Sequence, residues 1–336
     1  MPSDSKPEWS QGHAVDPGEL TAAGLSALSR RPSDLPAALA AAARLALRAP
    51  SVHNTQPWHW SVTGDHLELR ADPRWTLSVA DPDGRLMVLS CGAALHHVRV
   101  ALHAMGYPTQ VRRFSDSDRS TLLAEVTVGE PGTPTSAAAD MLEAALRRRT
   151  DRRGVADRPV PEAVLSELRQ AVAEHAVWLH VLPADQARRI VVAAEHADVV
   201  QLAEPDYRWE LERWSRVPEG ATAGVPEGSL PPRGMGYQTQ GEYVVLYGNG
   251  DQPSSWLAAG EALSAVWLTA THHGVVVRPV SSVIEVPAGR AALHRVLSGM
   301  GTPYLVLHLG LPVDVGDVPQ TPRRPESEAV DRPDPL

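Results

Sequence analysis

Residues 50 to 58, PSVHNTQPW, place several hydrogen-bonding side chains between two prolines. The amides of Asn54 and Gln56 both donate and accept hydrogen bonds, which suits the polar edge of a flat ligand. They could instead satisfy the backbone of their own loop, with Ser51 as a turn or cap residue. Two interpretations also apply to His53, which either touches a ligand or is simply exposed.

A second segment, RRRTDRR at residues 147 to 153, could bind an anion. Arg148 and Arg152 are one turn apart if the preceding helix continues, so both guanidinium groups can point the same way. The hydroxyl of Thr150 adds a donor between them. Arginine forms two parallel hydrogen bonds with a phosphate, which makes phosphate a fitting ligand. The simpler interpretation is a helix C-terminus whose positive charges favour the helix dipole and are otherwise solvated.

The histidine and glycine patterns give weaker evidence for a functional site. His96, His97 and His103 lie on one predicted helix, and His272 and His273 on another, but adjacent helical positions do not share a face. Because no third ligand is evident, we expect no metal site. The glycine runs lack the context of a dinucleotide fold, and neither a P-loop nor a nucleophile elbow is visible.

Composition narrows the class of protein. The 336 residues carry a net charge of −9, which argues against a nucleic-acid partner, because phosphate binding relies on clustered positive charge. Cys91 is the single cysteine, so no intramolecular disulfide can form and a reducing, cytoplasmic location is expected. No signal peptide and no apolar run long enough to cross a membrane are visible, so no membrane partner is expected.

The hydrophobic pattern predicts alternating helices and strands. Helices are predicted over 34–49, 84–105, 137–149, 161–175, most of 185–216 and 254–273, and strands over 58–62, 66–71, 109–114, 122–128, 177–182, 242–248 and 302–310. The first helix should end before Pro50, and Gly106 should end the second.

The two long helices match each other in sequence. Aligning CGAALHHVRVALHAMG with AGEALSAVWLTATHHG places Gly92 on Gly260 at an offset of 168 residues. Trp58 matches Trp178 at an offset of 120, so the second copy contains an insertion. Helices rich in Ala and Leu can look alike by chance, but glycines at a fixed separation favour a duplication. A repeat of about half the chain indicates two copies of one module.

These matches predict the domain organisation. The expected parts are a disordered N-terminus at 1–17, a first module at 18–136, a second module at 137–324 with a lid-like insertion around 200–241, and a flexible tail at 325–336. The tail and the N-terminus contain few apolar residues, as disordered segments do. Long Gly/Pro-rich segments such as the one inside the insertion are usually lids or binding loops, or else disordered.

Each copy has kept a different polar segment, residues 50 to 58 in the first and 147 to 153 in the second. The two would form one site if the copies pair face to face. Over about residues 30 to 325 the chain resembles the nitroreductase family of flavin enzymes, and within it the fused, Acg-like subgroup. The family's Pro-Ser-x-x-Asn-x-Gln-Pro-Trp segment is matched completely by Pro50, Ser51, Asn54, Gln56, Pro57 and Trp58.

The resemblance implies which residues bind the cofactor. In ordinary nitroreductases one subunit offers an Arg-x-Ser-x-basic segment to the phosphate of FMN, and the other offers the Pro-Ser-x-x-Asn-x-Gln-Pro-Trp segment to the ring and ribityl chain. Arg148, Thr150 and Arg152 fit the first segment, with Thr in place of Ser. His53 and Trp58 belong to the second, although Trp58 is also explained as a core residue of a strand.

Two later segments fit the family as well. RPVSSVIEVP resembles the loop whose backbone N–H faces flavin N5, which places Ser281 or Ser282 there. TPRRP resembles the basic segment that closes on the phosphate, which places Arg323 and Arg324 there.

The implied fold is α+β, a nitroreductase fold with two fused repeats, each a mixed, mostly antiparallel sheet flanked by helices. Ordinary nitroreductases are homodimers with two FMN sites. Because the polar segments are not duplicated here, the resemblance implies one FMN per chain in a pseudo-dimeric monomer. Whether this monomer forms a further homodimer is left open.

Two functions follow from the resemblance. In the first, NADPH or NADH reduces the flavin at N5, and a flat, electron-poor acceptor such as a nitroaromatic or a quinone then takes the hydride; the acceptor itself is unknown. In the second, the protein binds and sequesters FMN without turnover. Tyr207, Trp209, Trp214 and Met235 would then fold over the flavin and occupy the place that a nicotinamide needs.

Overall fold

The strands form two separate sheets. The computed structural model describes residues 34–113, 121–214, 237–238, 240–313, 316, 318 and 320–331. The first sheet contains β1 (Trp58–Thr63), β2 (His66–Ala71), β3 (Thr109–Arg113) and β4 (Leu122–Val128). The second contains β5 (Trp178–Val181), β6 (Glu242–Gly248), β7 (Val276–Val280) and β8 (Thr302–Gly310), and β9 (Val330–Asp331) returns to the first.

The two sheets have the same topology. The first has the order β3-β4-β2-β1-β9, and the second read in the same direction has the order β7-β8-β6-β5. Every pairing is antiparallel except that of β1 with β9. Strands one to four therefore correspond to strands five to eight, which confirms the duplication inferred from the helices and the predicted α+β fold.

Helices cover the sheets and join the two halves. They are α1 (Leu35–Ala46), α2 (Arg85–Ala104), α3 (Ser136–Arg147), α4 (Glu162–Ala173), α5 (Ala184–Ala203), α6 (Pro205–Trp214), α7 (Pro253–His272), α8 (Ser282–Glu285), α9 (Pro287–Val296) and α10 (Glu326–Ala329). Asp34 caps α1, accepting a hydrogen bond from the N–H of Ala37 at 2.9 Å. Gly106 and Gly274 follow the two long helices with φ of 86° and 69°, a conformation that favours glycine.

The long helices α2 and α7 cross at the centre and connect two hydrophobic cores. Leu257 and Leu268 of α7 pack into the core of the first sheet, while Leu86 and Leu89 of α2 pack into that of the second. Each module is therefore completed by a helix of the other. By length and composition α2 could span a membrane, but 78% of its apolar stretch is buried in the protein, as in a core helix.

The predicted flexible tail at 325–336 is wrong over its first half. Residues 326 to 329 form α10, and Val330 pairs with Trp60 as the parallel edge strand of the first sheet. Ala329 and Val330 are buried in the first core, so apolar burial and edge-strand hydrogen bonds order this segment. Residues 332–336 and the N-terminal 1–33 lie outside the described residues.

The insertion predicted around 200–241 contains the end of α5 and all of α6, and α6 packs on the first module. Tyr207 and Trp214 of α6 form a small hydrophobic cluster with Trp75, Leu77 and Ala80. Residues 215–236 and 239 are outside the described part of the chain, and so is Met235. The predicted lid is therefore described only over 200–214, 237–238 and 240–241.

Candidate functional site

The structure brings three of the predicted phosphate ligands, Arg148, Thr150 and Arg323, into one pocket. The pocket is also lined by residues that the sequence analysis did not select: Arg48, Arg149, Gln320 and Thr321. Arg48 follows α1 and lies two residues before the polar segment. The positive charge of Arg48, close to the polar segment in the sequence, could have identified it as a site residue.

Backbone carbonyls hold the three innermost arginines of this pocket. Arg48 Nη2 donates to the carbonyl oxygen of Leu146 at 2.9 Å. Arg148 and Arg323 both donate to the carbonyl oxygen of Arg48, at 3.0 and 3.2 Å. Within the described ranges no carboxylate pairs with these three guanidinium groups. The pocket is therefore positively charged, and no carboxylate of the described residues neutralises it.

Burial makes this concentration of charge unfavourable without an anion. Burial and the neighbouring arginines lower the pKa of Arg48 to about 10 and that of Arg323 to about 9, and they hold the pKa of Arg148 well below its usual range. Arg48 Nε, Arg323 Nε and both Nε and Nη1 of Arg148 are buried and have no hydrogen-bond partner among the described residues. Unpaired buried charges are costly, so the donor set fits an anion such as a phosphate group.

Arg152 does not join this pocket. The expectation that a continuing helix would align it with Arg148 is wrong, because α3 ends at Arg147 and Arg148 leaves the helical region with ψ of 127°. Arg152 lies instead near Arg278 and His53. Burial first, and then the charge of Arg278, lowers the pKa of Arg152, and burial and Arg152 lower the pKa of His53 to about 4. A second, smaller positive region thus lies beside the polar segment.

The polar segment has an unusual backbone. His53, Asn54 and Gln56 have φ of 43°, 55° and 53°. Residues other than glycine rarely adopt such angles, and they persist where the surrounding structure enforces them, often at functional sites. Ser51 Oγ accepts a hydrogen bond from the backbone N–H of Gln56 at 2.9 Å, which is the turn role that the sequence left open. Pro50 is buried at the start of the segment.

The amides of the segment bind the C-terminal basic segment. Asn54 Nδ2 donates to the carbonyl oxygen of Pro322 at 3.0 Å, and Asn54 Oδ1 accepts from Arg323 at 3.1 Å. Gln56 Oε1 accepts from the backbone N–H of Arg324 at 2.9 Å. The polar segment therefore fixes Arg323 in the arginine pocket.

Three residues that were predicted to contact the ligand are buried inside the protein instead. Gln56 and Trp58 are fully buried, and Arg324 is 2% exposed. The Arg324 guanidinium lies 4.1 Å from the ring centre of Trp75 and donates to the carbonyl oxygens of Gln56 at 2.9 Å and Glu328 at 2.7 Å. We therefore correct their assignment: these three residues support the site from behind, because tertiary contacts already enclose them.

Ser281 and Ser282 lie at a one-turn helix, α8, where the sequence analysis placed a loop. Ser282 is buried, and its hydroxyl oxygen is 2.9 Å from Tyr237 Oη, which donates to Asp198 Oδ2 at 2.9 Å. Ser281 stays partly exposed. Of the two serines, Ser281 is therefore the one that a ligand could reach.

The insertion is hydrogen-bonded to α8. Glu285 Oε2 accepts from Gln201 at 2.6 Å and from Tyr207 at 3.2 Å, and both donors belong to the inserted helices. Burial raises the pKa of Glu285 above its usual value. The segment with Ser281 and Ser282 is thus held from the side of the insertion.

The counterpart of this site in the other half is filled by the protein. At the offset of 168, His96 and Arg99 of α2 correspond to Ser264 and Trp267 of α7. There the buried carboxylate of Glu261 accepts from Arg113 at 2.7 and 2.9 Å and from Arg99 at 3.1 Å. An internal ion pair takes the place of an open anion pocket.

Comparisons with known proteins identify the family of the chain. The chain is 36% identical to a Mycobacterium tuberculosis protein provisionally named NAD(P)H nitroreductase Rv3131, over 87% of this chain and 90% of the relative. It is 30% identical to that organism's Acg, provisionally named likewise, over 85% of this chain and 93% of the relative. No family model matches. A nitroreductase-like protein structure from Bacillus cereus aligns with 61% of this chain and 100% of its own, at 13% identity and a TM-score of 0.37. The extent and identity of the curated relatives confirm what the motifs indicated: the chain belongs to the nitroreductase family.

Proposed function

We propose that the protein is an FMN-dependent oxidoreductase that passes hydride from NADPH or NADH to a flat, electron-poor acceptor. The observation that carries the cofactor assignment is the pocket of Arg48 and Arg148, which are buried, and Arg323, which is partly buried, with no described carboxylate paired to them. One FMN per chain is part of the proposal, because Glu261 and its two arginines fill the counterpart position. The curated relatives provisionally named NAD(P)H nitroreductases support the donor and the reaction class.

One group of residues would bind the FMN phosphate, and a second group would lie near the flavin ring. Arg48, Arg148 and Arg323 would bind the phosphate with Thr150, and Asn54 would keep Arg323 in place. The flavin, when bound, supplies hydride transfer through N5.

Near the ring, the positive charges of Arg152 and Arg278 would favour the negative charge of a reduced flavin. His53 stays neutral at physiological pH, since its pKa is lowered to about 4, so it would contribute hydrogen bonding instead of charge. The backbone at Ser281 is the accessible part of α8 for the N5 edge.

An absorbance spectrum from 300 to 550 nm tests the proposal directly. The purified full-length protein, saturated with FMN and desalted, should retain a flavin spectrum and bleach anaerobically after NADPH or NADH is added. Retention should be lost in Arg148→Ala/Arg323→Ala. A wild-type protein that retains no flavin, or a double variant that retains it at full stoichiometry, would contradict the cofactor assignment.

The sequestering alternative has one structural observation in its favour. Val52, inside the polar segment, packs against the cluster formed by Trp75 and the α6 residues Tyr207 and Trp214. Glu210 of α6 accepts hydrogen bonds from the backbone N–H groups of Val79 and Ala80, the latter at 2.8 Å. Helix α6 is therefore fixed beside the proposed flavin site.

A variant that weakens the attachment of α6 to the first module distinguishes the oxidoreductase proposal from the sequestering one. Glu210→Ala removes the hydrogen bonds of α6 to Val79 and Ala80 of the first module. Glu212→Ala on the same helix changes an exposed residue and serves as the control. If α6 prevents turnover, bound FMN in the wild type should be bleached by dithionite and not by NADPH, and Glu210→Ala should gain NADPH-dependent bleaching. Equal bleaching of all three proteins by NADPH would rule out sequestration.

A further inference from the structure

His97 is a buried histidine that the sequence analysis considered only as a metal ligand. It is fully buried on α2, and its Nδ1 lies 3.0 Å from the carbonyl oxygen of Ala93 and 3.0 Å from Ser264 Oγ. A carbonyl oxygen only accepts, so Nδ1 carries the proton in the neutral ring. Nε2 therefore presents a lone pair, and it has no partner among the described residues.

Arg148 has buried N–H groups that lack an acceptor among the described residues, which complements the unpaired acceptor of His97. Its Nη2 donates to the carbonyl oxygen of Arg48, and its guanidinium carbon lies 5.0 Å from the ring centre of Trp267. Its Nε and Nη1 hydrogens are buried and have no partner in the part of the chain that the structure describes. Leaving buried polar groups unpaired is unfavourable, so a bound state that pairs them is favoured.

Helix α7 places the two side chains next to each other. Ser264, which contacts His97, and Trp267, which contacts Arg148, are three residues apart and so lie on one face of the helix. After burial, the charge of Arg148 does most to lower the pKa of His97, to about 3. The imidazole is therefore neutral beside the arginine pocket.

We propose that His97 is a positioning residue whose Nε2 accepts a hydrogen bond from Arg148 when a phosphate group occupies the pocket. This rests on the proposed function. The bond would hold the guanidinium in the orientation in which its remaining N–H groups face the phosphate. Its effect is therefore confined to ligands that carry a phosphate, and riboflavin, which is FMN without it, is the matched probe.

Two conservative variants distinguish the role of Nδ1 of His97 from that of Nε2. His97→Asn can still donate to Ala93 from the position of Nδ1, but it is too short to replace Nε2. His97→Gln is long enough to place an amide oxygen near the position of Nε2. His96 provides the control, because it contacts the same Ser264 hydroxyl at 2.8 Å while its ring packs against His175.

The experiment measures dissociation constants of FMN and riboflavin for the full-length apoprotein by quenching of flavin fluorescence. His97→Asn should weaken FMN binding by about tenfold or more, as expected for a lost hydrogen bond to a charged group, and leave riboflavin binding within about twofold. His97→Gln should recover most of the FMN affinity, and His96→Asn should keep the wild-type ratio of the two affinities. Melting temperatures of the apoproteins report folding separately.

Several outcomes would overturn the inference. Equal weakening of FMN and riboflavin by His97→Asn would indicate a purely structural role, and so would equal losses for the Asn and Gln variants. Unchanged FMN affinity in both variants would exclude any role at the phosphate. A wild-type apoprotein that binds neither flavin would instead reject the proposed function, which keeps the two failures distinguishable.

Discussion

Gly92 of α2 and Gly260 of α7 face each other where the two long helices cross. A Cβ atom on Gly92 would lie 2.9 Å from the Gly260 Cα and overlap the carbonyl oxygen of Leu257. A Cβ on Gly260 would overlap the carbonyl oxygen of Leu89. Both pairs, 92 with 260 and 89 with 257, are separated by 168 residues. The internal duplication is thus visible as a pseudo-two-fold contact at the centre of the protein.

Replacing either glycine of this crossing should separate the helices. Gly92→Ala or Gly260→Ala places a methyl group against backbone that cannot move independently of its helix, so we expect a loss of at least about 3 kcal/mol in unfolding free energy. Urea denaturation measures it. Gly132→Ala is the control, because nothing lies within 4 Å of its added Cβ, and it should change stability by less than about 0.5 kcal/mol. Similar stability of all three variants would contradict the close crossing.

Glu261 should be a strong determinant of stability. Its fully buried carboxylate forms ion pairs with both Arg99 and Arg113, so Glu261→Ala leaves two positive charges together. Breaking such a pair costs about 3–5 kcal/mol, and partial exposure of both arginines favours the lower end. Thermal and urea unfolding measure the loss.

The control for Glu261 is an exposed ion pair. Glu143 pairs with Arg147 at 3.4 Å, and both side chains are more than half exposed, at 60% and 53%. Glu143→Ala should therefore change stability by less than about 1 kcal/mol. An equal effect of the two substitutions would show that Glu261 is not held as the structure describes.

Asp81 should make stability depend on pH. Burial raises its pKa to about 6, although its Oδ2 accepts the backbone N–H of Met87 at 2.8 Å. Between its unfolded pKa near 4 and the folded value, the folded state binds more protons than the unfolded state, so stability falls as pH rises through this window. The full loss, on the order of 1–3 kcal/mol, is present above pH 6.

Asp81→Asn should remove this contribution, since the amide oxygen can still accept from Met87. We expect the variant to lose less stability than the wild type between pH 4.5 and pH 7.5, measured by urea unfolding. Asp83→Asn changes a neighbouring exposed carboxylate and should keep the wild-type dependence. A wild-type slope in Asp81→Asn would refute the assignment.

The adjacent residues Arg323 and Arg324 should differ in their effects. Arg323→Ala should weaken FMN binding by about tenfold or more with little change in melting temperature, because its guanidinium faces the pocket. Arg324→Ala should instead lower stability by about 3 kcal/mol, since it leaves the buried Asp72 carboxylate, 3.5 Å away, with less compensation. Fluorescence titration and thermal unfolding of both variants distinguish the roles, and a reversed pattern would contradict them.

Most secondary structure was predictable from local patterns. The alternation of apolar residues in β1 and β2 and the helical spacing in α2 and α7 are properties of short segments, and the glycines at 106 and 274 mark helix ends. The tail was predicted to be flexible because it has few apolar residues. Ala329 and Val330 become ordered only when they pack into the first core and pair with β1. The backbone angles of residues 53 to 56 left no signal in the sequence.

The sequence by itself determined the family, the duplication and the chemistry of the two polar segments, because residue type and spacing are carried by the chain. Tertiary structure alone decided which side chains share a site. Helix α3 ends at Arg147, so Arg148 joins Arg48 and Arg323 while Arg152 turns to His53. Whether a polar group serves a ligand or the protein depends on distant carbonyls and aromatic rings, and only the packed fold brings these within reach.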